Sequence, residues 1–245
     1  MILDDPLVAG EPSTPDDARP AVSWIVLDVG ETIVDETRMW HEWADIVGVP
    51  RFALAAGLGA VIARGEHHSQ VFELVAPGID RHAALDAQPA RLIPMRIEAG
   101  DLYPDARVAI DELRRAGFRV GVAGNQPTAT ESALQALGLE LDLVASSEGW
   151  GATKPERAFF ERLVEVAGVP AAEVAYVGDR LDNDVWPSLA AGMLPVFLRR
   201  GPWARIQETM GPVPAEAVVI DELAELVERL RPVVATTPRA AGGRA

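Results

Sequence analysis

No cysteine occurs among the 245 residues. Disulfides, thiolate nucleophiles and cysteine-bound metals are therefore excluded. Lysine is nearly absent as well: of 22 lysine and arginine residues, Lys154 is the sole lysine. An ammonium is a compact point charge where a guanidinium is a planar fork, so a single lysine in an arginine-using chain asks what needs an ammonium there. Aromatics amount to 6%, and no apolar run approaches the ~20 residues that span a bilayer. The first residues lack a basic start followed by an apolar core, so no secretory signal is expected. Positive charge is scarce overall, with 37 acidic residues and a net charge of −15. That balance argues against nucleic acid or an anionic membrane as partner, while a local cationic pocket could still take a small phosphorylated molecule. With 49% hydrophobic and 24% charged residues, the composition is that of a globular protein. A soluble, cytoplasmic protein of one large or two modest domains is expected, and no oligomeric state is encoded legibly.

What is present is organised around the stretch from residue 23 to residue 32, SWIVLDVGET. Its short apolar run reads as a strand buried on both faces. Asp28, Gly30 and Thr32 follow at its end, where open α/β sheets hold their ligands. Strand-like runs recur near 118–123, 141–145, 174–177, 194–198 and 218–220. Helical patterns lie between them at 105–115, 127–137, 156–167 and 184–191, with a last helix at 222–230. In the 105–115 helix the apolar positions are Val108, Ile110 and Leu113, with Pro104 at its first turn and Gly117 as its stop. Strands alternating with helices imply an α/β fold, a Rossmann-like doubly wound parallel sheet. Residues 35–100 break that rhythm with helical segments at 36–47, 51–64 and 69–75, and carry all four histidines. His67 and His68 lack the i, i+4 spacing that would aim two rings at one metal. The expected organisation is a tail at 1–20, a core at 21–34 and 101–231, a helical insert at 35–100, and a second tail at 232–245.

The polar clusters each follow a strand, so the fold should gather Asp28, Asn125, Lys154, Asp179 and Asp184 at one sheet edge. Three facing carboxylates repel unless a cation lies among them. An all-oxygen ligand set without histidine or cysteine points to Mg²⁺, which favours a substrate phosphate as a further ligand. Lys154 adds a second positive charge. Such a site suits phosphoryl transfer, with an aspartate on the rim as nucleophile.

The motifs in order are Ile25-Val26-Leu27-Asp28, then Leu102-Tyr103-Pro104-Asp105, then Gly151-Ala152-Thr153-Lys154-Pro155-Glu156 with Phe159-Phe160, and finally Tyr176-Val177-Gly178-Asp179 through Asp184. Together they resemble the haloacid dehalogenase-like (HAD) superfamily, in its phosphatase-like branch with a helical cap. The resemblance implies Asp28 as nucleophile and Lys154 as the group that steadies its charge with the phosphate. It implies Mg²⁺ held by Asp28, Asp179, Asp184 and the Gly30 carbonyl, and a substrate phosphate bound at Thr32, Gly124, Asn125 and Lys154. Residues 35–100 become the cap that shields the site and selects a small phosphorylated substrate.

Two positions depart from the family pattern. Gly30 stands where family phosphatases carry a second aspartate as general acid–base, and Gly124 stands where they carry Ser or Thr. A positioned acid is worth ~10²–10⁴ in rate. Three readings follow. The chain is a phosphatase in which Glu31 or a cap histidine replaces that acid, or whose substrate needs none; or a dehalogenase-like carbon-centre hydrolase; or a non-catalytic binder of a phosphorylated ligand or protein. Retention of Asp28, Lys154, Asp179 and Asp184 favours the first.

Overall fold

The computed structural model describes residues 22–88 and 97–230. Both expected tails lie outside the described residues. Six strands form one sheet: β1 (Trp24–Leu27), β2 (Arg119–Gly124), β3 (Leu143–Ser146), β4 (Val174–Gly178), β5 (Leu194–Leu198) and β6 (Val218–Ile220). Their order is β3-β2-β1-β4-β5-β6, and every neighbouring pair is parallel. The doubly wound α/β expectation is borne out. β1 lies at the centre with all four residues buried, as its unbroken apolar run requires. The order reverses between β2 and β4 around β1, so the crevice for a ligand opens at the carboxyl end of β1.

The elements between strands follow in chain order. Helices α1 (Thr37–Val47), α2 (Arg51–Ala63), α3 (Gln70–Val75) and α4 (Arg81–Asp86) form the insert after β1, and α5 (Ala106–Arg115) leads back into β2. Then come α6 (Thr128–Ala136), the single turn α7 (Ser147–Trp150), α8 (Arg157–Ala167), α9 (Trp186–Ala190), α10 (Gly201–Met210) and α11 (Leu226–Leu230). The period-2 alternation of β1 sends its side chains to two cores. Ile25 and Leu27 join α5 and α11 through Ile110, Leu113, Leu226 and Leu230. Trp24 and Val26 join Phe159, Phe160 and Leu163 of α8, with Tyr176 of β4. A third core belongs to the insert: Ala44, Leu54, Val61 and Phe72 close around Trp203 of α10.

The structure corrects the sequence reading in four places. α10 stands where no helix was expected; Gly201 and Pro202 occupy its first turn, a position that suits proline. α4 was likewise unforeseen, although Asp80 caps it by accepting from the His82 and Ala83 amides. Val108 is 55% exposed, and the buried stripe of α5 runs through Ala106, Ala109, Ile110 and Leu113. Val108 and Ile110 are two residues apart and cannot share a helical face, and the two alanines complete the period instead. The helix expected from 184 is preceded by a wide turn over Leu181–Val185, so Asp184 sits within that turn. Among the described residues no single helix is long and apolar enough to cross a membrane.

Candidate active site

Asp28 follows the last residue of β1 and is fixed there by its amide, which donates to the Val177 carbonyl at 2.8 Å. Lys154 comes from the loop between α7 and α8, and only 2% of it is exposed. Its Nζ stands 2.7 Å from Asp28 Oδ1 and 2.6 Å from Asp184 Oδ1. The same ammonium lies 5.3 Å from the centre of the Tyr176 ring, whose hydroxyl is anchored on the Ala123 carbonyl. A flexible chain ending in a compact ammonium with three donors serves both carboxylates in this confined space.

Asp184 Oδ2 accepts from the Arg180 amide at 3.0 Å. The carboxylate thereby folds back over the strand end, and a β-carbon at Gly178 would fall 2.6 Å from the Asp184 Cβ. Asp179 is buried, and its Oδ2 has no hydrogen-bond partner among the described residues. Ligand oxygens of Asp28, Asp179 and Asp184 all lie within 4.8 Å of one another. Burial is the largest cause raising the carboxyls of Asp179, well above the usual range, and of Asp184, up to about 6; for Asp179 the Asp184 charge adds to it. Lys154 is held well above its ordinary value by Asp184 and Asp28, which overcome the burial that opposes its charge. An orphaned buried carboxylate oxygen in a three-aspartate cluster fits a hard divalent cation such as Mg²⁺.

Gly30 and Asn125 share a cavity of about 670 Å³ with Asp28, Lys154 and Asp179. The cavity walls carry Asp28, Glu31, Glu36, Glu66, Asp179 and Asp182 against Lys154, Arg81 and Arg180. With carboxylates outnumbering cations, a phosphate needs an additional positive charge to enter. Asn125 places its amide on the Lys154 backbone: Nδ2 donates to the Lys154 carbonyl and Oδ1 accepts from the Lys154 amide, both at 2.8 Å. Its side chain positions the lysine loop. Gly124 abuts Asp28: a β-carbon there would lie 2.5 Å from Asp28 Oδ1. Thr32 is fully buried, its hydroxyl has no partner among the described residues, and its carbonyl accepts from Arg200 at 2.9 Å. It is not among the cavity-lining residues.

The surroundings of Gly30 held a residue that motif spacing does not reveal. Glu31 adopts a left-handed backbone (φ 51°), and its carboxylate accepts from the Tyr103 hydroxyl at 2.6 Å and from the Glu36 amide at 3.1 Å. Glu36 precedes α1 and lines the cavity. Burial, reinforced by the Glu31 charge, pushes its carboxyl up to about 8. The histidines His67 and His68 of the insert also line the cavity, and burial lowers both, His68 to about 4. Arg180 lies over Trp203 and pairs with Asp182 at 2.8 Å, so α10 contributes to the cavity wall.

The chain matches the haloacid dehalogenase-like hydrolase family over residues 22–192. It belongs to that family. A glyceraldehyde 3-phosphate phosphatase of Methanopyrus kandleri is 26% identical over 209 residues, covering 81% of this chain and 82% of the relative. A glyceraldehyde 3-phosphate phosphatase of Methanocaldococcus jannaschii is 32% identical over 109 residues, which span 43% of this chain and 48% of that protein. A solved dehalogenase structure superimposes with a TM-score of 0.61 at 22% identity, covering 86% of this chain and 97% of the other, a likeness of fold. The HAD resemblance read from the four motifs is thereby borne out, and the phosphatase names of the relatives support a phosphoric-ester hydrolase.

Proposed function

We propose that this HAD hydrolase is a Mg²⁺-dependent phosphatase that releases phosphate from a small phosphorylated metabolite through an aspartyl-phosphate on Asp28. The observation that carries the reading is the Asp28 carboxylate held by a buried ammonium that also binds Asp184, beside the unpartnered Asp179. Asp28 supplies the oxygen that attacks phosphorus, and Lys154 fixes that carboxylate and offers charge to the incoming oxyanion. Asp28, Asp179 and Asp184, with the Gly30 carbonyl, would hold Mg²⁺. When bound, it supplies neutralisation of phosphate negative charge. Asn125 keeps Lys154 in register, and residues 35–100 act as the cap over the reaction. The names of the relatives favour a short sugar phosphate as substrate, and the proposed setting is the cytoplasm, without nucleic acid or membrane as partner.

The test is phosphate release by purified protein from a panel of sugar, alkyl and aryl phosphates, with Mg²⁺ and with chelator. Asp28→Asn should abolish turnover and leave the circular dichroism spectrum unchanged. Turnover surviving in that variant overturns the nucleophile assignment. Halide release from a haloacid, indifferent to chelator, would instead identify a carbon-centre hydrolase.

A further inference from the structure

An alkyl phosphate leaves as a poor alkoxide unless a proton reaches its bridging oxygen, so the site needs a donor close to Asp28. Glu31 does not qualify, because one carboxylate oxygen accepts from Tyr103 and the other from the Glu36 amide. Glu66 is paired with Arg64 at 2.9 Å, and Asp182 with Arg180. His67 is bonded to Ser69, while His68 packs against His67 and the edge of Trp40. Glu36 stands differently. Its Oε2 accepts a long bond of 3.3 Å from the Trp40 indole, and its Oε1 accepts none among the described residues. The Oε1 lies against Gly30, two residues from the nucleophile: a β-carbon built on Gly30 would overlap it and would come within 2.8 Å of the Glu36 Cδ. A carboxyl-bearing side chain at position 30 and the Glu36 carboxyl would therefore occupy one space. Glycine at position 30 is what admits the glutamate from the start of α1.

We propose that Glu36 is the proton donor and acceptor of the reaction, reaching from the first helix of the insert into the space that Gly30 leaves open. The inference rests on the phosphatase reading above. In the first step an Asp28 carboxylate oxygen bonds to phosphorus and the bond from phosphorus to the leaving oxygen breaks. The Glu36 proton passes to that oxygen, yielding the alcohol and a Glu36 carboxylate. In the second step water attacks phosphorus, Glu36 takes back a proton from it, and the Asp28–phosphorus bond breaks to release inorganic phosphate. Glu31 is a positioning residue here, since its carboxylate holds the Glu36 amide and is itself held by Tyr103.

The experiment compares wild-type protein, Glu36→Gln, Glu36→Ala, and Gly30→Asp combined with Glu36→Ala, on p-nitrophenyl phosphate and on glycerol 3-phosphate with Mg²⁺. Glu36→Gln should lower kcat on glycerol 3-phosphate by ~10²–10⁴-fold, the worth of a positioned acid. On the aryl phosphate, whose leaving group needs no proton, the same variant should give a burst of one equivalent of nitrophenolate. Slow turnover should follow, with the phosphoryl group retained on the protein by intact mass. The double variant, with its carboxyl moved to position 30, should recover glycerol 3-phosphate turnover relative to Glu36→Ala. Equal losses on both substrates without a burst, or undiminished alkyl turnover in Glu36→Gln, would overturn the proposal. So would a wild-type protein that releases phosphate only from the aryl ester, and if Asp28→Asn abolishes that release the phosphatase reading survives alone. Absence of phosphate release from every ester by wild-type protein would overturn both.

Discussion

The contact between Gly124 and Asp28 shows how narrow the space around the proposed nucleophile is. Asp28 Oδ1 is bonded to Lys154 on one side and sits 2.5 Å from where a Gly124 β-carbon would stand on the other. Gly124→Ala therefore pushes the carboxylate off the ammonium while leaving β2 in its register with β1 and β3. Since misplacing a reacting group by about 1 Å can cost roughly 10²-fold, kcat should fall by about that factor. The urea midpoint should change little, because β2 keeps both its neighbours. Unchanged kcat in Gly124→Ala would mean that the Asp28–Lys154 contact does not set the attacking geometry.

At the scale of elements, the insert is tied to the core through α10, and the consequence reaches its pH response. Trp203 of α10 is buried with Leu54, Val61 and Phe72, and its ring lies 6.4 Å from that of Trp40. His68 borders this cluster on the cavity side, and burial, then His67, Arg180 and Arg81, lower its imidazole from 6.5 to about 4. The unfolded chain then binds more protons than the folded one between those values, so the stabilising contribution is complete above pH 6.5 and is lost as pH falls toward 4. At about 1.4 kcal/mol per pKa unit the loss is bounded near roughly 3 kcal/mol. His68→Phe should flatten the fall in unfolding free energy between pH 6.5 and 4.5, measured by urea titration; an unaltered slope would place the acid sensitivity elsewhere. None of this could be read from the chain itself. The strands of the core were legible because a run such as Ile25-Val26-Leu27 has one physical use, and Asp28, Asp179 and Lys154 were legible because their types and order carry chemistry. Glu36 and α10 were not. One is brought to the nucleophile by a turn through a left-handed Glu31, and the other opens on Gly201-Pro202, which suits a loop as well as a helix start. Asn125 and Thr32 were placed in sequence but not in direction, since a motif position does not say that an amide faces the Lys154 backbone or that Thr32 is buried outside the cavity lining.

In a molecule of net charge −15, the sheet edge gathers three buried aspartates beside the Lys154 ammonium. Among the described residues, Lys154 alone forms ion pairs with Asp28 and Asp184, and Asp179 keeps a buried oxygen without a partner. On the proposed reading, a divalent cation would relieve the mutual repulsion of such a buried cluster, and Mg²⁺ binding would then be linked to folding. A ligand present at 100 times its Kd, and bound only by the folded state, stabilises by about 2.7 kcal/mol. Adding Mg²⁺ to chelator-treated protein should raise Tm by several degrees, about 2–4 °C per kcal/mol for a chain of this size. Asp179→Asn should abolish that shift while raising the Tm of the metal-free protein, because it removes a buried carboxyl that Lys154 does not pair and whose ionisation burial opposes. The two parts separate the explanations. A metal-free Asp179→Asn protein less stable than wild type would show that Asp179 is a structural group satisfied by the fold. A Mg²⁺ shift that persists in the variant would move the cation away from the three-aspartate cluster, and with it the charge on which phosphate binding in this acidic cavity depends.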